Sequence, residues 1–296
     1  MLWILLTAMA APLQVARNAL QRGLVGDAGP WGATLVRFLF GLPFSLMILG
    51  VVSLLTPGAQ PHLSMTYGVA VVAGAVAQVA ATGCLLLAMR QSGFAVATFM
   101  QQASLPLSAL LGLVWPGDQL ASVQWVGIAA TSVGLGVLSW PRVGDGRAAL
   151  NGALFGLASG AAFAVALNGY RQAGLALEPN HPIFAGVASV CVAQALQAAW
   201  LGAVLALTQP QALRAVVTSW RQSLGTGLCG SAASACWFAA LALAPGGMVR
   251  AVGVIEAPIA AAVGRRLFKE RLTLRQALGG TLTAGGVVMT ALGQLI

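Results

Sequence analysis

Long apolar runs are the feature that most constrains how this chain can fold. An α-helix that crosses the roughly 30 Å hydrocarbon core of a bilayer needs about 20 apolar residues. Ten runs of about this length follow one another with only short gaps between them, and because each is continuous rather than alternating, helices are favoured over barrel strands. The runs are Leu2–Leu20, Trp31–Leu55, Tyr67–Met89, Phe94–Trp115, Val123–Trp140, Leu150–Tyr170, Ile183–Leu207, Ser223–Leu243, Met248–Gly264 and Leu274–Leu295.

The scarcity of charge supports a membrane location. Charged residues make up 7% of the 296 residues and hydrophobic residues 58%, whereas a soluble domain carries about 25% charged residues. The net charge of +9 comes from basic residues scattered singly through the gaps, which is typical of membrane loops and argues against nucleic-acid binding. The sequence therefore predicts an all-α integral membrane protein with ten transmembrane helices.

An internal repeat divides the chain into two copies. Residues 84–139 align without a gap with residues 236–291. The aligned pairs of rarer residue types are Cys84/Cys236, Pro106/Pro258, Asp118/Glu270 and Gln124/Gln276, and Thr131/Thr283 and Gly134/Gly286 align as well. We predict a first repeat at 1–140, a linker at 141–149 and a second repeat at 150–296.

The number of helices in each copy predicts inversion. Five spans per repeat is an odd number, so the second copy enters the bilayer in the opposite orientation, as in many secondary transporters. The connection Trp115–Ser122 has no Lys or Arg, whereas the equivalent connection after the ninth run carries Arg265, Arg266, Lys269 and Arg271. The positive-inside rule places such loops on opposite faces.

The same rule predicts the topology. The gaps after the odd-numbered runs hold most of the 15 basic residues. We therefore expect a multi-pass protein of a bacterial-type cell (inner) membrane with both termini outside the cytoplasm.

The motifs in both copies resemble the EamA-type half of the drug/metabolite transporter superfamily. The first copy carries Leu86-Leu87-Ala88-Met89-Arg90, Pro106, Gly112, Gly117-Asp118-Gln119-Leu120, Gln124-Trp125-Val126-Gly127 and Gly134. The second carries Ala239-Ala240-Leu241, Pro258, Glu270-Arg271-Leu272-Thr273, Gln276, Gly279 and Gly285-Gly286. The resemblance implies ten helices around a central substrate cavity and export of amino acids, metabolites or drugs. Two departures stand out: Asp118 replaces the usual Glu, and Thr56–Ser64 lacks the basic residues that accompany cytoplasmic termini in the family.

Glu256 is the acidic residue in the middle of an apolar run, directly before Ala257 and Pro258. A carboxylate at that depth must face a cavity, pair with a cation or become protonated. Glu256 is therefore a candidate to bind a cationic group or a coupling proton, and the alternative is a structural pair with an intramembrane arginine. Arg250, six residues earlier, is too far round a regular helix for an i,i+4 pair.

Further polar and aromatic residues are candidates for binding substrate or coupling ion. Arg17 and Arg37 either line the cavity or extend to the aqueous interface. Pro106 and Pro258 are predicted to interrupt their helices, because proline lacks the backbone N–H that a helix interior requires. The remaining candidates are Asn18, Gln101, Gln102, Tyr170 and Trp237, the last of which either stacks on an aromatic substrate or fills space.

These features favour a secondary transporter of a small metabolite, amino acid-like solute or drug, working as an exporter by alternating access. We expect no enzymatic activity, because the chain has no P-loop, GxGxxG or HExxH motif, and we expect no cofactor or metal. The expected partners are a small solute, with protons as candidate coupling ion, and the lipid bilayer, while monomer and homodimer both remain open. The alternatives are a non-transporting membrane sensor or scaffold and, less favoured, a membrane-embedded enzyme.

Overall fold

The structure, a computed structural model, describes residues 1–139, 147–267 and 274–292. Every regular element in these ranges is an α-helix. The helices are α1 (Leu2–Leu39), α2 (Leu42–Leu55), α3 (Met65–Ser92), α4 (Phe94–Gln101), α5 (Ser104–Val114), α6 (Ser122–Ser139), α7 (Arg147–Leu177), α8 (Pro182–Thr208), α9 (Pro210–Thr218), α10 (Trp220–Leu243), α11 (Gly246–Gly253), α12 (Glu256–Leu267) and α13 (Leu274–Leu292).

Six helical segments in the described residues are long and apolar enough to cross a membrane. They are Leu2–Leu55, Met65–Ser92, Leu150–Leu177, Pro182–Thr208, Trp220–Leu243 and Gly246–Leu267. Shorter apolar helices lie at Ser104–Val114, Ser122–Val137 and Thr281–Thr290. The chain is therefore a helical protein whose several long apolar helices indicate a multi-pass membrane protein.

The first helix differs from the prediction, which ended the first run at Leu20. Helical structure continues across most of the predicted gap, and the interruption comes at Gly29. Gly29 has a positive φ of 68°, a conformation that glycine adopts without a steric penalty. The sequence signal for the break is the Gly29-Pro30 pair rather than the polar residues before it.

By internal contacts the described chain forms two compact units, and each unit takes helices from both predicted repeats. The first unit contains Met1–Val79 and Gly169–Ala244. Within it, α1 packs against α8, α9 and α10, and α2 packs against α8. Small residues bring backbones together: a Cβ added at Gly186 would lie 2.6 Å from the amide nitrogen of Ala239.

The second unit contains Ala80–Asn168 and the chain from Pro245 onward. It holds two helices that are each broken into halves, α4 with α5 and α11 with α12. The halves pack in exchanged order, α11 against α5 and α12 against α4. This exchange is the contact pattern of two broken helices that run in opposite directions past each other.

The helix boundaries recur at a fixed spacing. The pairs α4/α11 and α5/α12 each begin 152 residues apart, which is the offset of the sequence repeat. The hydrogen bonds at the two breaks match as well: Ala103 N bonds to Met100 O at 3.2 Å and Leu105 N to Gln102 O at 2.9 Å, and the equivalent bonds are Ile255 N to Val252 O and Ala257 N to Val254 O. Both breaks are thus the same short turn of i→i+3 bonds.

Helices α6 and α13 pack against each other through equivalent residues. A Cβ at Gly134 would lie 2.7 Å from Thr283 N. A Cβ at Gly286 would lie 2.5 Å from Thr131 N. Because Gly286 is the repeat equivalent of Gly134 and Thr283 that of Thr131, the two contacts are reciprocal, as in a two-fold interface. Residue numbers rise along α6 as they fall along the facing part of α13, so these equivalent helices are antiparallel.

Some predicted features fall outside the described residues. Of the linker 141–149, residues 141–146 lie outside, and residues 147–149 already belong to α7. In the basic cluster, Arg265 and Arg266 end α12, whereas Lys269 and Arg271 lie outside the described residues.

Candidate functional site

The two helix breaks of the second unit carry the candidate site. The predicted interruptions near Pro106 and Pro258 are present, but each break precedes the proline, which lies in the first turn of the following helix. Proline is tolerated there because a first-turn N–H has no intrahelical acceptor. The breaks leave backbone ends and polar side chains inside the protein.

Glu256 and Arg250 form an ion pair across the second break. Arg250 Nη1 donates to Glu256 Oε2 at 2.9 Å, and the side chains are 0% (Glu256) and 3% (Arg250) exposed. Glu256 lies in the first turn of α12 and Arg250 in the last turn of α11. Each charge therefore lies at the helix end whose partial charge stabilises it.

This contact corrects the expectation that six residues separate the two side chains too widely. That expectation assumed a regular helix. The chain turns at Val254 and Ile255 between the two half-helices, which brings the last turn of one beside the first turn of the other. The structure thus contains an ion pair between Glu256 and an arginine, and binding of a cationic group or a proton by Glu256 stays a prediction.

Arg250 also contacts the first break. Its Nε donates to Ser104 Oγ at 2.9 Å, and its Nη2 donates to Gln102 Oε1. Ser104 is the first residue of α5 and the repeat equivalent of Glu256. The guanidinium of Arg250 thus contacts the first residue of α5, the first residue of α12 and Gln102 in the turn before α5.

Three buried polar atoms of this cluster have no hydrogen-bond partner among the described residues. They are Glu256 Oε1, Gln101 Oε1 and Gln102 Nε2. Buried polar groups are normally satisfied, and an unsatisfied one calls for an explanation such as a bound water, ion or ligand. The cluster therefore offers two acceptors and one donor in addition to its ion pair.

Glycine makes room for this arrangement beside the first break. A Cβ at Gly160 in α7 would lie 2.9 Å from Gln101 O and 3.1 Å from Ser104 N. Gly156, one turn earlier, would place a Cβ 2.4 Å from Met100 Cβ. Both glycines let α7 approach the backbone of the break.

Arg17 and Arg37 lie buried inside the first unit, with exposures of 0% and 2%. The alternative in which they extend to the aqueous interface is wrong, because protein atoms cover both side chains. Arg17 Nε donates to Asn18 Oδ1 at 3.2 Å, and Arg37 Nη2 donates to Ser234 Oγ at 3.3 Å. A Cβ at Gly230 would lie 3.3 Å from Arg17 Cδ and 3.3 Å from Arg37 Cγ. The absence of a side chain at Gly230 therefore leaves room for both arginine side chains.

Tyr170 belongs to a separate polar group of the first unit. Its hydroxyl donates to Gln78 Oε1 at 2.8 Å, and Gln197 Nε2 donates to the same oxygen at 2.8 Å. The ring centroids of Tyr170 and Phe238 are 3.8 Å apart. Trp237 is buried in the same unit, with 6% of its surface exposed. The hydroxyl of Tyr170 is therefore hydrogen-bonded, and its ring is packed against Phe238.

Ser104 is predicted only as a polar neighbour of Pro106 and not as a site residue, and the sequence gives no signal for Ser234. Serine is common in membrane helices, and its type carries no signal. The position of Ser104 does carry a signal, because Ser104 is the repeat equivalent of Glu256. Among the described residues, no group of three or more His, Cys, Asp and Glu side chains is close enough to hold a metal ion.

The fold has a counterpart among solved structures. One structure, described only as "Crystal structure of protein", matches with a TM-score of 0.67 and 18% sequence identity, covering 98% of this chain and 98% of that chain. At that identity the likeness concerns the fold alone. The sequence matches no family model. It matches no curated protein.

Proposed function

We propose that this protein is a secondary transporter of a small solute, built from two inverted five-span repeats that alternate access to a central site. The observation that carries the proposal is the pair of broken helices with a buried Arg250–Glu256 ion pair at their breaks. In secondary transporters, broken helices of equivalent repeats commonly form the substrate and ion sites near the bilayer midplane.

The packing of equivalent helices supports the inversion. The reciprocal contacts of Gly134 with Thr283 and of Thr131 with Gly286 fit a two-fold axis between antiparallel copies. The exchanged packing of α4, α5, α11 and α12 fits the same axis. Under this proposal the ten predicted spans comprise the two parts of the long first segment, the other five long segments and the three shorter apolar helices.

The resemblance to EamA-type drug/metabolite transporters supports the transport class. The solute is then a metabolite, an amino acid-like compound or a drug, and the direction is export. The charge distribution favours a bacterial-type inner membrane with both termini outside the cytoplasm. The proposal also assigns no enzymatic activity.

Flux through reconstituted protein tests this proposal. Purified protein in liposomes is assayed with labelled amino acids, organic acids and cationic dyes, with and without a pH gradient. We expect the wild type to move at least one solute class faster than empty liposomes, and Arg250→Gln to slow that flux by about tenfold or more, since one lost charge-assisted contact is worth about 1.5–3 kcal/mol.

The matched control is Gly136→Ala, whose added Cβ meets no atom within 4 Å and which should keep wild-type flux. Folded protein that binds a solute yet moves none of the panel contradicts the proposal and favours a non-transporting sensor or scaffold.

A further inference from the structure

We infer that Arg250 binds the anionic group of a solute in exchange for the Glu256 carboxylate, and that Glu256 takes up one proton as it is displaced. The inference rests on the proposed function, because the buried pair must become accessible for a solute to reach it. It names the substrate class, a small organic anion, and fixes the ratio of one proton to one anion.

The chemistry of the two side chains decides which partner can be exchanged. A guanidinium keeps its proton under all conditions that proteins experience, whereas a carboxylate can become neutral by taking a proton. The pair has no net charge when Arg250 and Glu256 face each other at 2.9 Å. Binding an anion at Arg250 preserves that neutrality only if Glu256 is protonated.

The opposite exchange fails on the same argument. A cationic solute bound at Glu256 would leave the guanidinium of Arg250 buried and displaced from its carboxylate. Arg250 has no way to become neutral, so the site would hold an uncompensated charge at membrane depth, which is costly. The pair therefore discriminates against cations.

The surroundings of Glu256 leave Arg250 as the charged group that opposes it. Helix α12 packs against α4 and shares a core cluster with residues of α5, α6 and α11. Helices α4, α5 and α6 contain no ionisable residue, and α11 contributes Arg250. Among the described residues of these helices, Arg250 is the ionisable group that contacts Glu256, and the inference assigns the proton balance to this pair.

The polar atoms around Arg250 suit an anion. Ser104 and Gln102 already accept from the guanidinium, and Gln102 Nε2 is a buried donor with no partner among the described residues. An incoming carboxylate can accept from two guanidinium nitrogens and from this amide. Glu256 Oε1 is a buried acceptor without a described partner, so a proton taken up on this oxygen replaces no hydrogen bond that Oε1 makes.

Formate is the probe for the test, and formamide is its neutral control. Binding to the solubilised full-length protein is followed by calorimetry, and proton uptake is followed with an indicator dye in weak buffer. For the wild type we expect about one proton taken up per formate bound. The apparent affinity should fall about tenfold for each unit of pH rise over the pH range in which one proton is taken up per formate, as linkage requires.

Two variants separate the roles of the side chains. Glu256→Gln mimics the protonated acid, so it should bind formate with no proton uptake and no pH dependence. The double variant Arg250→Gln/Glu256→Gln removes the charge and keeps neutral hydrogen-bonding groups, and it should lose formate binding by tenfold or more. Formamide should bind none of the three proteins measurably.

The inference is overturned if wild-type formate binding lacks proton uptake or is independent of pH, or if the double variant binds formate as tightly as Glu256→Gln. Absence of formate binding in the wild type at low pH overturns it as well. The wild-type measurements require no variant, so they decide the matter even if Glu256→Gln does not fold. Liposomes that move neutral or cationic solutes while these tests fail would leave the transporter proposal standing.

Discussion

At the scale of residues, the Arg250–Glu256 ion pair lies buried inside the protein, where charge is expensive. Two features stabilise the Arg250–Glu256 pair: its own 2.9 Å contact and the helix ends at which the two residues lie. Breaking a buried pair by removing one partner costs about 3–5 kcal/mol, whereas replacing both partners is often nearly neutral. The pair therefore adds little net stability, but each partner needs the other to avoid a buried unpaired charge.

A double-mutant cycle tests this matching. We expect Arg250→Gln alone to destabilise the protein by about 3–5 kcal/mol, because it leaves Glu256 buried without its cation. The double variant Arg250→Gln/Glu256→Gln should recover at least half of that loss. The measurement is unfolding free energy in mixed detergent, and additive losses from the two single variants would contradict the account.

Glu178 gives a prediction outside the spans. Its carboxylate joins two loops of the first unit, accepting from Gln60 N at 2.7 Å and from Asn180 N at 3.0 Å, with His181 Nδ1 at 3.6 Å. The hydrogen bond from Gln60 is the main cause that lowers the pKa of Glu178. Since the folded-state pKa lies below the unfolded value, the stabilisation is present above the unfolded pKa and is lost as pH falls through the folded one.

Thermal unfolding across pH measures this contribution. We expect the melting temperature of the wild type to fall as pH is lowered from 6 toward about 3, and Glu178→Gln to show a shallower fall over the same range, because it removes one carboxylate of lowered pKa. Parallel curves for the two proteins would show that Glu178 does not stabilise the folded state through its charge.

At the scale of elements, the apolar runs predicted where helices lie but not where they break. The length and continuity of an apolar run indicate a helix that is removed from water, whether by lipid or by the protein interior. The long helices share this property. The break positions depend on local turns at Gln102–Ala103 and Val254–Ile255, where the residues themselves carry no strong turn signal. The prolines pointed to the right region because proline favours the first turn that follows a break.

The close pairing of α6 with α13 yields a prediction with a control in the same helix. Gly134→Ala would place its Cβ 2.7 Å from Thr283 N, so we expect a loss of about 1–3 kcal/mol from overpacking. Gly136→Ala meets nothing within 4 Å and should be neutral or stabilising by up to about 1 kcal/mol, because alanine is the better helix former.

Unfolding of the two variants in detergent gives the comparison. Equal stability of Gly134→Ala and Gly136→Ala would mean that α6 and α13 do not approach as closely as described. It would also remove one of the two observations that support a two-fold axis.

At the scale of the whole molecule, the sequence predicts a repeat because Cys, Pro, Gln and acidic residues align without a gap, and the division of the chain into two repeats stays a prediction. The structure adds what an alignment could not contain, namely which equivalent residues touch. The site was predicted only in part. Glu256 and Arg250 stood out as charges in apolar runs, but their contact depends on a helix break, and the roles of Ser104 and Gln102 depend on α5 meeting α11.

The central claim is that the two repeats are oppositely oriented in the bilayer. Single cysteines at the exposed positions Gln119 and Arg266 report on equivalent ends of the two copies, in a background where Cys84, Cys191, Cys229 and Cys236 are replaced by alanine. A membrane-impermeant maleimide is applied to intact cells and to permeabilised cells. If the repeats are inverted, Gln119→Cys is labelled in intact cells and Arg266→Cys is labelled only after permeabilisation. Labelling of both cysteines from the same side would contradict the inverted arrangement.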